Sequence, residues 1–267
     1  MNAHPIERHF ARIGARARLS AGTHRRLRTN GVSIDIGRDG DGEFFDVALA
    51  SPTPAELIVL DVQPASRHLL LMAAGGTGKH KFLCGHDERH WFVAAVPESR
   101  AASTVETAME ALKPDVVRFE QSRRRVKPRL RNLRRNEAFV RQGEWFFVPL
   151  PLGTKVNESV ILRNERLQRG AGKPHIVDEL VRDGGQAVYV SNAYPNGLTP
   201  REYMKLISRR PELRSISWVI QRRNPRAFVR GKVRHPDHKT IKLDDWRLVV
   251  MNTETQSAAM RHVAFID

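Results

Sequence analysis

Residues 81–97 read KFLCGHDERHWFVAAVP, and the fold turns on whether they form one helix or two strands. His86 and His90 stand at H-x3-H spacing, which on a helix would put both imidazoles on one face, ready for zinc. The flanks argue against a helix. Both have strand character, Gly85 precedes the motif, and the acid beside the first histidine is Asp87, so HDERH does not match the HExxH of a metalloprotease. The reading is two antiparallel strands joined by a polar turn that carries His86, Asp87, Glu88, Arg89 and His90. Cys84 then becomes a small strand residue rather than a nucleophile.

The neighbouring segments follow the same pattern. SIDI, GEFFDVAL and ELIVLDV are strand-like, and the RDGDG between the first two is a hairpin turn, because Asp-Gly takes up the positive φ that such turns need. RHLLLMAA is a buried strand. The GGTGKH after it differs from a phosphate-binding loop at two positions, Ala73 and His80, and leads into a strand where such a loop must open a helix, so it reads as a Gly-rich turn. Further strands are expected at GEWFFVPLP, QAVYVSN, SISWVIQRR, AFVRGKVRH and DWRLVVMN. Helices are expected at PIERHFARIGARARL (5–19), STVETAMEALK (103–113), DVVRFEQSRRRV (115–126), HIVDELVRDG (175–184) and TPREYMKLISRR (199–210), the last capped by Thr199. Strands that come as hairpin neighbours predict an α+β fold dominated by antiparallel sheet.

The 267 residues carry 45 Lys and Arg against 29 Asp and Glu, a formal net charge of +16. A surface of that sign attracts polyanions. The charge is unevenly placed. Residues 31–62 hold seven acids and one base, whereas QSRRRVKPRLRNLRRNEAFVRQ (121–142) holds nine bases and one acid. The composition divides the chain into an N-terminal unit (1–113), a basic helical connector (114–137) and a C-terminal unit (138–267), two sub-domains joined by the connector.

Arginine dominates the connector, and its planar fork grips phosphate with two hydrogen bonds or stacks on a base. Arg123, Arg124, Arg125, Lys127, Arg129, Arg131, Arg134 and Arg135 are therefore candidate nucleic-acid contacts. Arg230, Lys232 and Arg234 join them, because they alternate with Val229, Gly231 and Val233 and so project from one strand face, near Trp218, Phe228 and Trp246. No helix-turn-helix or zinc-finger spacing is present, which favours RNA over DNA. The reading is a nucleic-acid-binding protein, a subunit of a ribonucleoprotein or DNA-processing complex. Two alternatives stand beside it: a metal- or histidine-dependent nuclease or phosphodiesterase, and a protein-interaction subunit for an acidic partner.

The nuclease alternative rests on a second turn, HPDH (235–238), where Pro236 excludes a helix. Brought together, the two turns would make one site from His86, Asp87, His90, His235, Asp237 and His238, with imidazoles as ligands and carboxylates orienting the rings. A divalent metal is the one cofactor these residues admit. The single cysteine excludes an intramolecular disulfide and any multi-cysteine zinc site. No apolar run approaches the roughly 18–20 residues of a membrane span, and no hydrophobic secretory segment is visible. No membrane partner and a cytoplasmic location are the expectations.

Overall fold

The computed structural model describes residues 5–21, 32–49, 56–75, 78–168 and 173–257. The N-terminal unit stacks two sheets. One holds β2 (Val32–Asp39) and β3 (Gly42–Leu49) as a hairpin, with β1 (Ala17–Ala21) parallel to β3. The other is an antiparallel meander of β4 (Glu56–Gln63), β5 (His68–Gly75), β6 (Gly78–Asp87) and β7 (His90–Val96). Leu69, Leu71, Phe82 and Cys84 of the meander face Ile34, Phe45 and Val47 of the first sheet, and the helix α1 (Pro5–Arg12) closes that layer with Ile6 and Phe10. Phe10 meets Phe45 at 4.7 Å between ring centroids. Each such fully buried ring or branched chain contributes about 1.5–3 kcal/mol.

The opposite face of the meander, with Leu70, Leu83, Ala94 and Val96, is covered by α2 (Val105–Ala111). Burial of both faces explains why RHLLLMAA is a continuous apolar run rather than an alternating one. Thr104 and Thr107 form the capping box of α2, which leaves its C-terminal carbonyls to be satisfied from elsewhere. Residues 76–77, at the tip of the expected Gly-rich turn, lie outside the described residues; Gly75 and Gly78 pair on either side of them.

The basic segment is packed against the body. α3 (Asp115–Arg123) and the turn after it bury Val117 and Val126 against Phe139, Phe146 and Val148. Beyond them lies a six-stranded antiparallel sheet. Its strands are β8 (Val140–Gln142), β9 (Trp145–Pro149), β10 (Leu162–Leu167), β11 (His175–Asp183), β15 (Arg226–Arg234) and β16 (Ile241–Met251), in the order β10-β11-β15-β16-β9-β8. Between β11 and β15, which pair directly, the chain makes a separate small sheet of β12 (Gln186–Ser191), β13 (Tyr194–Leu198) and β14 (Val219–Arg223), with α4 (Pro200–Arg209) packed on it. Thr199 and Glu202 cap α4 reciprocally.

After β16 the chain returns to the first unit. The Thr253 amide donates to Leu112 O (3.0 Å) and its hydroxyl to Ala111 O (2.8 Å), which caps the C-terminus of α2.

The architecture is the α+β, mainly antiparallel class expected, with two local corrections. The helix expected over 5–19 stops at Arg12, because Gly14 adopts φ +75° and the chain then pairs as β1. The helix expected at HIVDELVRDG is β11. A bulge between Val177 and Glu179 shifts its register, so that Val177, Leu180 and Val181 are all buried at a spacing that imitates a helix. No helix among the described residues is long and apolar enough to cross a membrane.

Candidate metal centre

The HDERH and HPDH turns meet. Glu88, at the tip of the β6–β7 hairpin, accepts a hydrogen bond from the Lys239 amide (2.6 Å) and lies 3.8 Å from His238 Nδ1. His90 Nε2 lies 3.9 Å from Asp237 Oδ1. The cluster suited to an ion recruits a third element. His175 opens β11, one residue before the Ile176–Arg234 pair, so its ring stacks on that of His235 at 4.3 Å and faces that of His238 at 5.7 Å. One ring nitrogen from each of His175, His235 and His238 lies within 4.8 Å of the others.

His175 is the most informative of the three. It is 2% exposed, and neither of its ring nitrogens has a hydrogen-bond partner among the described residues. Leaving a buried imidazole unsatisfied costs about 1–3 kcal/mol, so the site calls for something that binds nitrogen. Gly143, in the turn between β8 and β9 with φ +56°, marks where that something fits. A methyl group there would come within 3.0 Å of His238 Nε2 and 3.6 Å of His175 Nε2, so the two nitrogens face one small space that only glycine leaves open. At His235 the Asp237 amide donates to Nδ1 (3.2 Å) and Nε2 stands 3.3 Å from Lys173 O. That places the ring proton on Nε2 and the ring's one in-plane lone pair on Nδ1, where a metal would displace the Asp237 amide. Three nitrogens around a tetrahedral ion with bonds of about 2.0–2.1 Å lie about 3.4 Å apart, so binding closes the cluster by about 1 Å.

Burial holds the His175 and His238 rings in the neutral form that coordinates metal. The pKa of His175 is lowered to about 3 by burial, then by its neighbours His235 and His238. That of His238 is lowered to about 4 by burial, then by His235 and Arg134.

The cluster borders a cavity of about 490 Å³ between the two units. Its lining mixes apolar side chains, among them Leu83, Phe92, Met109, Leu112, Phe139 and Phe146, with the polar Glu43, His90, Arg141, Lys173 and Asp237. Glu43, from β3, accepts from His90 Nδ1 (2.6 Å) and from the Trp91 amide (3.0 Å). This fixes the ring proton of His90 on Nδ1 and leaves Nε2 a lone pair. The Asp237 carboxyl lies below its ordinary range: burial opposes ionisation, but Lys173 at 2.7 Å and the neighbouring histidines outweigh it.

The six residues expected from the two turns therefore separate. His235 and His238 join the cluster, while His90 and Asp237 line the cavity beside it. Asp87 also borders the cavity but is held by Arg134 and by Arg141 at 3.6 Å, which makes it a structural anion. His86 and His90 are not members of the metal-type cluster, a correction to the four-histidine site. His86 turns to the other face of its strand and meets Trp91 edge-on at 4.9 Å. The reading missed His175, Glu43, Lys173 and Gly143. No family model, curated protein or solved structure matches the chain. Its function must be read from its own residues.

Many of the expected phosphate contacts have protein partners. Arg123 and Arg124 both bind Glu120, Arg134 binds Asp87 and Glu88, Arg230 binds Glu179, and Arg234 binds Asp178. Arg135 donates to Lys242 O (3.2 Å). Arg131 is half-buried, its carbonyl accepting from Lys113 (2.8 Å) and Gln121 (2.7 Å). Arg125, Lys127, Arg129 and Lys232 are exposed with no ion-pair partner among the described residues. The expected aromatic platform also separates: Phe228 is core, Trp246 donates to Glu158 (3.0 Å) beneath Arg230, and Trp218 belongs to the small sheet.

Proposed function

We propose that this protein is a divalent-metal-dependent hydrolase of phosphodiesters, centred on His175, His235 and His238. The observation that carries the reading is His175, a buried imidazole without a partner, aimed with His238 at the space that Gly143 leaves open. Three histidine ligands with a further position toward a cavity are the donor set of a catalytic rather than a structural zinc-type site. An ion held there supplies Lewis acidity and makes a coordinated water acidic near neutral pH. The chain's own residues supply the rest. With an ion held there, His90, oriented by Glu43, would be the group placed to accept and return a proton through Nε2. Lys173, paired with Asp237, and Arg141, beside Asp87, border the cavity and add positive charge to its lining. Nucleic acid is the phosphodiester polymer that a chain of net charge +16 attracts.

The test is Zn²⁺ or Mn²⁺ binding by calorimetry on chelator-treated protein, together with hydrolysis of bis(4-nitrophenyl) phosphate. The expected result is one bound ion per chain, hydrolysis that disappears in EDTA and returns with the ion, and loss of both in His175→Ala. His90→Gln should keep the ion and lose at least about 100-fold in kcat. Equal metal affinity in wild type and His175→Ala would overturn the reading.

A further inference from the structure

The segment 184–225 interrupts β11 and β15 where a tight turn would suffice, since Asp183 pairs directly with Arg226. It buries little of its own: Val188 and Ile207 are its only core side chains. What it contains is unusual for this chain. All three tyrosines, Tyr189, Tyr194 and Tyr203, fall within it, together with Trp218. Tyr189 stacks on Tyr203 at 4.0 Å, Tyr194 on Trp218 at 5.5 Å, and Tyr203 meets Trp218 edge-on at 5.1 Å. Large apolar side chains beside these rings stay in water: Met204 is 61%, Val219 54% and Ile220 65% exposed.

Its charges differ from those of the rest of the chain. Arg201, Lys205, Arg209, Arg210, Arg214, Arg222 and Arg223 face only two acids in the segment, and Glu202 is engaged in capping Thr199. None of the seven bases forms an ion pair among the described residues. Arg201, Lys205 and Arg209 recur every four residues of α4, which places them in one row about 6 Å apart along its axis. Tyr189 pairs with Ile220, so Ile220 and Arg222 share its face of the small sheet. Tyr203 and Ile207 turn toward the sheet, so the Arg201–Lys205–Arg209 row lies on the outer side of α4, flanked by the exposed Met204. Cations without ion pairs in a regular row, with open apolar side chains nearby in the segment, fit a ligand with regularly spaced anions and flat apolar faces.

We propose that the small sheet and α4 form a binding platform for a single-stranded polynucleotide, whose phosphates meet the Arg201–Lys205–Arg209 row and Arg222 and whose bases pack on the aromatic and apolar side chains. Aromatic stacking needs unpaired bases, which excludes duplex as the preferred form. An acidic protein surface would satisfy the cations but leave Met204 and Ile220 without partners. The platform is independent of the metal centre, although it supplies a polymer to the same proposed chemistry. His175 and Asp183 lie at opposite ends of β11, about 26 Å apart at a strand's rise.

The experiment is fluorescence anisotropy of labelled 20-mers of deoxythymidine, of uridine and of a duplex, with the full chain in EDTA, so that binding is read without hydrolysis. Wild type should bind both single strands at least 10-fold more tightly than duplex, with affinity falling steeply as salt rises. The exposed quadruple variant Arg201→Ala, Lys205→Ala, Arg209→Ala and Arg222→Ala should lose at least 10-fold while keeping its near-UV circular dichroism. Met204→Ser with Ile220→Ser should lose affinity for single strands but not for heparin, which has charge without bases. The proposal is overturned if the quadruple variant binds as wild type does, if duplex is preferred, or if heparin competes equally before and after the apolar substitutions. A preference between the deoxythymidine and uridine strands identifies which polymer the platform takes. Failure of metal binding at His175 would leave this result untouched.

Discussion

The basic segment 114–137 carries nine arginines and lysines in 24 residues and the small sheet with α4 (186–223) seven in 38, and the two regions use them differently. In the first, Glu120 holds Arg123 and Arg124, and Arg134 reaches across the molecule to Asp87 and Glu88. In the second, no base forms a close ion pair among the described residues, although Glu202 lies within the field of Arg223. Charge density therefore does not locate a polyanion site. An arginine already bound to carboxylates gains little from a phosphate, because the new ion pair replaces an old one; an unpaired arginine gains the whole contact.

The contrast is tested most strongly at Arg134. It is half-buried between Asp87 and Glu88, themselves mostly covered. Arg134→Ala should leave two carboxylates underpaired beside the cavity and cost about 2–3 kcal/mol, below the full cost of breaking a buried pair because the site is partly wet. Urea unfolding measures this, and Arg125→Ala, with its exposed side chain, should shift stability by less than about 0.5 kcal/mol. Equal effects would erase the distinction between paired and unpaired bases.

The histidines extend the comparison to groups buried without charge. His68 is buried with its Nδ1 2.5 Å from Ser66 O, and its pKa is lowered to about 4 by burial, which outweighs that contact. Below about pH 6.5 the unfolded chain takes up a proton at this position that the folded chain refuses until about pH 4, so stability falls with pH across that window. The contribution between pH 7 and pH 5 is about 2 kcal/mol. His68→Leu should flatten the dependence by that amount in denaturant titrations at the two pH values, whatever its effect at pH 7.

The smallest expected effect comes from converting one region into the other. Glu120→Gln frees Arg123 and Arg124 while keeping the side chain's size. Affinity for the uridine 20-mer should rise about 2- to 3-fold, with the salt slope steepening by up to about 1.4 for two new phosphate contacts. An unchanged slope would confine the strand to the small sheet.

Local structure was largely legible in the sequence. The hairpins, the Thr199 cap and the two histidine turns follow from short-range chemistry that neighbouring residues determine. The site was half legible for the same reason: HPDH and HDERH announce themselves, but their third partner does not. His175 begins a segment whose apolar residues, at 176, 177, 180 and 181, have helical spacing only because the bulge after Val177 moves the strand onto its other face. The fate of the arginines was not legible, since the partner of Arg134 lies 47 residues away. Only the closed fold decides which charges are used up.

The cap that Thr253 places on α2 carries a consequence for synthesis. The N-terminal unit leaves the ribosome with the last carbonyls of that helix unanswered, and they stay so until residue 253 has emerged. Asn252 and Glu254, which border the cavity, arrive with it. A ribosome paused between His238 and β16 would thus hold a chain with all three imidazoles already made but the wall around them still open. The cavity is among the last parts of the molecule to close, completed only when nearly the whole described chain has been delivered.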